Sequence, residues 1–436
     1  MKRVLLMSLI MVVLAGLSAM AGDYYPEYTG EPTTITMWAW TSNENYSIEE
    51  FEKVYPDIKV EWENFDVHYD KVQTALSAGD GLPDVVMIEY SYAPQYMDLG
   101  AFQAINEWLD EETFIELYGE DALGWCAMDG AIYGTPQDSG AMTMFYRKDV
   151  FDKYDLSVPT TREEFIEQAK KLQELAPELK FSCPPLGNAM WWSGQVWQAG
   201  GKLFDFHDGN WYIDFTNPVA EEVFETWGEW FDEGILDMQM QWNPDWYNSL
   251  NEGTTAVVEM GCWFAEWLRY NAEESKGQWR VAIPPHWNPD KPHNGMVGGS
   301  GFYVTEHSNN PEAAAIFANW LNSHPDSLKC LHDYSNLPVM VSNRFEEVID
   351  EVSGPDEFFG GQNIGEVLWD AHQLVNTTFV ALPIMSNVDE SLSLLLQDYA
   401  DGKIDKFSDI LPMWEEEVIN TMEEFGYFNL IVDELP

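Results

Sequence analysis

The sequence predicts an α/β protein built around two sheets. Near its start, strand-like and helix-like stretches alternate in the order TTITMWAW (33–40), IEEFEKVYPD (48–57), IKVEWENF (58–65), HYDKVQTALSAGDGLP (68–83) and DVVMIEY (84–90). This alternation is typical of a parallel sheet that is covered by helices on both faces. Further strands follow, beginning with AMTMFYRKD (141–149), and no flexible linker separates them from the first series. We therefore expect a second sheet with its own helices.

The spacing of apolar residues supports the strands and the helix assigned to the start of the first sheet. TTITMWAW alternates like a strand and ends in the turn-prone TSNEN, and the next segment places Ile48, Phe51 and Val54 on one helical face. DVVMIEY is too apolar to be a half-exposed strand. In parallel sheets ligands bind outside the carboxyl ends of the strands. Those ends are expected at 40–43, 64–66 and 89–92.

The second series of elements is less regular. A helix is predicted to begin after Thr161, because Glu164 stands at the capping-box spacing. The stretch 181–211 is rich in Gly, Pro and Trp and matches no regular pattern, whereas 221–231 has helical spacing. TTAVVEMGCWFAEWL (254–268) begins as a buried strand and changes to helical spacing after Trp263. Another strand and helix follow up to residue 323, and helical segments close the chain from Phe345 onward.

The first 21 residues predict a secretory signal peptide. Lys2 and Arg3 precede an apolar stretch from Val4 to Leu17, and Ala19 and Ala21 have the small size favoured before a cleavage site. The apolar run is short for a membrane span. We therefore expect cleavage after Ala21 and a periplasmic or otherwise extracytoplasmic location.

Composition excludes several function classes. The chain has a formal net charge of −54, which argues against nucleic acid as a partner because such binding depends on basic side chains. Neither a calcium-loop motif nor zinc-like cysteine spacing is present, so no metal or other cofactor is expected. Cys126, Cys183, Cys262 and Cys330 lie far apart, and the sequence leaves both free thiols and disulfides open. The histidine spacings and the absence of G-x-S-x-G, H-E-x-x-H and P-loop motifs argue against an enzyme, and the family resemblance described next implies a protein that is not one.

Five passages together resemble the extracellular solute-binding proteins of ABC importers, in the branch that includes maltose- and oligosaccharide-binding proteins. They are ITMWAW followed by IEEFEKVYPDIKVE, LSAGDGLPDVVMIE, IYGTPQDSGAMTMFYRKDVFDKYDL with VPTTREEF, MVGGSGFYVTEHSNNPEAAAIFANWL, and SNLPVMVS. They cover most of residues 33–345 in the order that the family has. The resemblance implies a type II, maltose-binding-protein-like fold with two α/β lobes and a ligand cleft between them. It also implies a membrane permease as partner, and we expect the protein itself to be a monomer.

The resemblance also implies where the lobes divide. The first lobe is expected to comprise residues 22–138 and 299–337, and the second lobe residues 139–298 and 338–436. The crossing segments of the hinge are expected at 137–140, 297–299 and 336–339.

Aromatic and polar side chains at strand ends and in loops are the candidate ligand contacts. An indole ring matches the apolar C–H face of a pyranose, and carboxylates and amides bind its hydroxyls. The resemblance implies that GCWF presents Trp263 to the ligand, with Gly261 leaving space beside it. The other candidates are Trp40, Ser42, Asn43, Asp66, Glu89, Asp138, Trp191, Trp192, Trp242, Trp246, Gly298, Gly299 and Trp369.

Two ligand classes fit these residue types. Aromatic rings and carboxylates suit a carbohydrate, and the 20 tryptophans favour an oligosaccharide because successive sugar rings need successive platforms. The same residues also suit a cation such as a polyamine or a quaternary ammonium compound. The resemblance to the sugar-binding branch favours the carbohydrate, although it does not identify the sugar or its linkage.

Overall fold

The computed structural model describes residues 24–65, 69–238, 241–335, 339–375 and 380–436. Its strands are β1 (Thr33–Ala39), β2 (Ile58–Asn64), β3 (Val85–Glu89), β4 (Ala127–Met128), β5 (Ala131–Ile132), β6 (Gly134–Pro136), β7 (Met142–Arg147), β8 (Lys180–Ser182), β9 (Phe204–His207), β10 (Asn210–Ile213), β11 (Thr255–Gly261), β12 (Trp279–Ala282), β13 (Ser300–Val304) and β14 (Leu430–Val432).

The helices surround these strands. They are α1 (Asn45–Val54), α2 (Tyr69–Ala78), α3 (Ala93–Asp98), α4 (Glu111–Tyr118), α5 (Leu123–Cys126), α6 (Lys148–Lys153), α7 (Arg162–Leu175), α8 (Ala189–Gln198), α9 (Pro218–Asp232), α10 (Pro244–Glu252), α11 (Phe264–Asn271), α12 (Pro311–Ser323), α13 (Pro325–Asp333), α14 (Ile349–Val352), α15 (Ile364–Gln373), α16 (Met385–Ala400) and α17 (Ile410–Glu424). Short 3₁₀ turns lie at Glu120–Ala122, Glu273–Ser275, Asn343–Glu347 and Phe407–Asp409.

The first lobe contains a five-stranded sheet in the order β2–β1–β3–β13–β6. β1, β2 and β3 are parallel, which confirms the prediction from the alternating elements, and β13 runs antiparallel to both of its neighbours. Val85–Ile88 of β3 are buried because helices cover both faces of the sheet. The carboxyl ends of β1 and β3 and the start of β13 meet at one edge, where Ser300 pairs with Glu89.

The second lobe contains a four-stranded sheet in the order β12–β7–β11–β8. β7 is antiparallel to β11 and β12, and β8 is parallel to β11. The capping prediction for α7 is confirmed, since the Thr161 hydroxyl accepts the Glu164 N–H at 3.2 Å. A smaller sheet, β14–β10–β9, brings the C-terminal strand against the β9–β10 hairpin.

Three backbone segments lie side by side between the two sheets. In the first crossing, the amide of Ser139 donates to Val339 O at 3.2 Å, and the carbonyl of Gly140 accepts the Val297 N–H at 2.7 Å. An isolated antiparallel β-bridge joins Asp138 to Met340. Residues 137–140 and 297–299 thus connect the sheets where the sequence predicted. Of the third expected crossing, only Val339 lies within the described residues.

The chain returns to the second lobe later than expected. After the third segment, Ser342 donates to Leu117 O and Arg344 donates to the Tyr25 hydroxyl, so this stretch lies on the first lobe. Lys329 and Glu351 then form an ion pair within the same lobe. The prediction that the chain returns to the second lobe at residue 338 was therefore wrong. Phe345 also packs against Trp369 of the second lobe, and from Asp356, which pairs with Arg269, the chain lies against the second lobe.

The cysteine question is answered by the structure. All four cysteines are free thiols; Cys126, Cys183 and Cys262 are buried, and Cys330 is partly exposed.

Among the described ranges, no helix has both the length and the hydrophobicity needed to cross a membrane.

Candidate ligand-binding cleft

A cavity of about 510 Å³ opens between the two lobes, at the sheet edge where β1 and β3 end. Its volume lies within the range typical of small-molecule sites. One wall comes from the first lobe and the hinge, and the other from Trp263 and α11 in the second lobe. The lining residues are Trp40, Thr41, Ser42, Met87, Glu89, Asp138, Trp263, Glu266, Trp267, Tyr270, Asn271, Gly299 and Ser300.

Trp263 stands two residues after the end of β11 and immediately before α11. Its indole Nε1 donates to the carbonyl of Val297 at 2.7 Å, which ties the ring to the second hinge crossing. Gly261 leaves the space for this arrangement, because a Cβ there would lie 2.3 Å from Trp263 Nε1 and 2.4 Å from Val297 O. A buried strand, a glycine and a hydrogen-bonded indole thus hold the ring in one orientation at the cavity wall.

One face of α11 supplies the rest of the second-lobe wall. Glu266, Trp267, Tyr270 and Asn271 follow Trp263 at spacings of three, four, seven and eight, which place them on the same helical face. The sequence interpretation found Trp263 and missed these four residues. The change to helical spacing after Trp263 was the signal that could have identified them.

The opposite wall combines strand ends with the first hinge crossing. Trp40, Thr41 and Ser42 follow β1, and Glu89 ends β3. Asp138 is buried, and its Oδ1 accepts the backbone N–H of Ser300 at 2.8 Å. The cavity therefore has aromatic surface on both lobes and carboxyl groups at its base.

The carboxyl groups of the cavity have raised pKa values. Burial raises the pKa of Glu89 to about 7, and the nearby charges of Asp138 and Asp389 add to this effect. The pKa of Glu266 is raised by burial to about 7, although Arg269 opposes the shift. Burial also raises the pKa of Asp138 to about 6, against the effect of the Ser300 N–H. Near neutral pH such groups are partly protonated, so they can donate as well as accept hydrogen bonds.

Three of the predicted tryptophans do not reach the cavity. Trp191 and Trp192 are fully buried in α8, a helix that the sequence pattern did not reveal. Their indole N–H groups donate to the carbonyls of Glu259 and Leu186, so both rings are core residues of the second lobe. Trp246 in α10 is also fully buried. The predicted ligand contact was therefore wrong for these three, because each ring packs against other aromatic side chains instead.

Four other candidates do not line the cavity. Trp242 is 45% exposed, and its ring stacks on Trp263 with centroids 6.2 Å apart. Gly298 has a φ of 70°, and a Cβ there would lie 3.0 Å from Trp263 Nε1. Asn43 donates its amide to Tyr334 O at 2.8 Å, and Trp369 packs against Phe345. Trp242 and Gly298 therefore contact Trp263, and Asn43 and Trp369 have other partners.

The remaining predictions divide between two groups. Trp40, Ser42, Glu89, Asp138, Trp263 and Gly299 all line the cavity. Asp66 lies outside the described residues.

A family model for bacterial extracellular solute-binding proteins matches residues 39–326, about two thirds of the chain. The chain belongs to this family. The match includes both sheets except most of β1, the first two hinge crossings and all of the residues that line the cavity. The predicted family and two-lobed α/β fold are thereby confirmed.

Relatives in this family have been described from several bacteria. The chain is 26% identical to the lactose-binding protein of Rhizobium radiobacter over 406 residues, covering 85% of this chain and 93% of the relative. It is 23% identical to the arabinooligosaccharide-binding protein of Halalkalibacterium halodurans over 339 residues, covering 77% and 75% respectively. A solved structure is similarly close: the ABC transporter associated binding protein of B. animalis subsp. lactis, in complex with β-1,6-galactobiose. It shares 27% identity with a TM-score of 0.76, over 92% of this chain and all of that one.

Proposed function

We propose that this solute-binding protein captures an oligosaccharide in the interlobe cleft and delivers it to the membrane permease of an ABC transporter. The observation that carries the proposal is the fixed Trp263 indole at the wall of a cavity with carboxyl groups at its base. An indole provides a flat apolar surface for the C–H face of a sugar ring. Glu89, Asp138 and Glu266 supply the hydrogen-bonding groups for its hydroxyls.

The charge state of the cavity favours a neutral ligand over a cation. None of the lining residues is Lys or Arg, and the raised pKa values of Glu89 and Glu266 reduce the negative charge of the site near pH 7. A partly protonated carboxyl group can pair with a hydroxyl in either direction. The relatives described above are named for sugars, and none of them for a polyamine or a quaternary ammonium compound.

The rest of the proposed cycle combines the predicted signal peptide with the two-lobed architecture. The protein is exported after removal of residues 1–21 and acts as a monomer outside the cytoplasm. Ligand binding stabilises the closed arrangement of the lobes, because the sugar contacts Trp40 on one side and Trp263 on the other. The sugar is captured and released without a catalytic step.

Thermal unfolding against a ligand panel tests this proposal. The panel contains lactose, β-1,6-galactobiose, arabino-oligosaccharides, spermidine and glycine betaine. A sugar present at about a thousand times its dissociation constant is expected to add roughly 4 kcal/mol to the free energy of unfolding, a shift of several degrees. The shift in unfolding temperature should persist at high salt, because a neutral sugar forms no ion pair that salt could screen. A shift with spermidine or betaine alone, lost in salt, would replace the carbohydrate with a cationic ligand.

A further inference from the structure

A second cavity lies at another edge of the contact between the lobes. It has a volume of about 270 Å³ and is lined by Asp98, Met128 and Asp129 of the first lobe. Phe206 and Trp211 of the β9–β10 hairpin, together with residues 426–429, form its second-lobe wall. Like the main cavity, it combines aromatic surface with carboxylates and lacks a lysine or arginine in its lining.

The aromatic surface of this cavity is held in place by the backbone around it. Phe428 is 76% exposed, more than any other large apolar side chain in the described residues. The next residue, Asn429, accepts the Trp211 N–H at 2.9 Å, which fixes the segment against the hairpin. Tyr427 N–H donates to Met422 O at 2.9 Å on its other side. The Phe428 ring is thus presented to solvent by an ordered backbone.

A hydrogen bond joins the two lobes at this cavity. The Tyr427 hydroxyl donates to Asp98 Oδ2 at 2.7 Å, so the C-terminal segment of the second lobe touches the end of α3 in the first. The lining residues of this cavity therefore come from both lobes, as those of the main cavity do.

The helix α3 links the two cavities. α3 begins shortly after Glu89, a lining residue of the main cavity, and ends at Asp98. Six helical residues span about 9 Å. Burial raises the pKa of the Tyr92 hydroxyl at the start of α3, and the nearby charges of Asp389 and Glu89 add to this effect. Groups from both lobes therefore face each other in the interval between the cavities.

We propose that this second cavity is an outer carbohydrate subsite, which binds a distal ring of an oligosaccharide whose first units occupy the main cavity. The exposed Phe428 ring provides the stacking surface, and Asp98, Asp129 and Asn429 provide hydrogen-bonding groups. This inference rests on the proposed function and adds a preference for chain length.

Titration calorimetry with sugars of increasing length tests the subsite. The probes are β-1,6-linked galacto-oligosaccharides and arabino-oligosaccharides of two to six units. The wild-type protein is compared with Phe428→Ala and with the matched control Phe425→Ala. Phe425 is also an exposed phenylalanine of the C-terminal region, at 58% exposure, but it does not line the cavity.

The wild-type protein and Phe425→Ala should bind the longer members of one series more tightly than the disaccharide. Phe428→Ala should bind the disaccharide normally and lose about five- to tenfold in affinity for the longer sugars, the expected effect of removing one stacked ring. Equal thermal unfolding of the three free proteins shows that folding is unchanged.

Two results would overturn the subsite while leaving the proposed function intact. One is a wild-type affinity that does not rise with chain length, and the other is a rise that Phe428→Ala retains in full. A wild-type protein that binds none of the sugars would overturn the proposed function as well.

Discussion

Glu44 provides a sharp test of how burial controls the carboxyl groups around the cleft. Its side chain is fully buried behind the cavity wall, where Oε1 accepts a hydrogen bond from the Thr41 hydroxyl at 2.5 Å. Oε2 has no hydrogen-bond partner within the part of the chain that the structure describes. Burial raises the pKa of this carboxyl from 4.5 to about 7, although Thr41 and the nearby Gln137 amide oppose the shift.

The sign of the resulting pH dependence follows from proton linkage. The folded state holds the Glu44 proton to a higher pH than the unfolded state does. The contribution of Glu44 to stability is therefore greatest below about pH 4.5 and is lost as the pH rises towards and through 7. A shift from 4.5 to about 7 corresponds to roughly 3 kcal/mol at 1.36 kcal/mol per pH unit. Most of this loss, about 2.5 kcal/mol, falls between about pH 5 and pH 8.

Glu44→Gln removes the charge and keeps the shape of the protonated side chain. Relative to wild type, the variant should therefore gain about 2 to 3 kcal/mol between about pH 5 and pH 8. Urea unfolding of the ligand-free proteins at the two pH values measures this difference. Glu49→Gln, an exposed site in α1, which begins just after Glu44, is the control and should change stability by less than about 0.5 kcal/mol. If Glu44→Gln and wild type lose stability in parallel over this range, the buried-carboxyl reasoning fails.

Three further predictions concern the cleft and its support. Gly261→Ala should weaken sugar binding by at least about tenfold and lower the free energy of unfolding by roughly 1 to 3 kcal/mol, because its Cβ would meet the Trp263 indole. Calorimetry and urea unfolding measure the two effects, and the control Gly354→Ala should behave like wild type because its Cβ has open space. Trp246→Ala should cost about 3 to 5 kcal/mol of stability as a fully buried ring, measured by urea unfolding, whereas a cost below about 1 kcal/mol would contradict its place in the core. Sugar affinity should change less than about twofold between about 0.05 and 0.5 M NaCl in calorimetry, and a steep fall would indicate a charged ligand.

The sequence was most informative where local pattern and burial agree. Alternating strand and helix periods predicted β1, β2 and β3, and the matched motifs predicted the first two hinge crossings. Strand ends then identified Trp40, Glu89 and Asp138 as cavity residues, because the ends of adjacent strands meet at one edge.

The sequence pattern led to wrong predictions for tryptophans, because an aromatic side chain can either contact a ligand or pack in the core. Trp191 and Trp192 stand in a segment rich in Gly and Pro, and their burial depends on α9 and the 3₁₀ turn at Phe407–Asp409, which are distant in sequence. Composition alone does not distinguish a ligand platform from a core ring. The opposite error occurred for Trp267 and Tyr270, whose exposure to the cavity follows from the direction of α11 relative to the first lobe.

Calorimetric titration of wild type and Trp263→Ala with the sugar that gives the largest thermal shift tests the central claim most directly. Wild type should bind one sugar per chain, and the variant should bind about 30- to 100-fold more weakly, as expected for the loss of a stacked indole worth roughly 2 to 3 kcal/mol. The free variant should remain folded, because Trp263 is only partly buried and stands after the end of β11. Equal affinities for wild type and Trp263→Ala would contradict the claim that this cleft, with Trp263 at its wall, is where the protein binds its sugar.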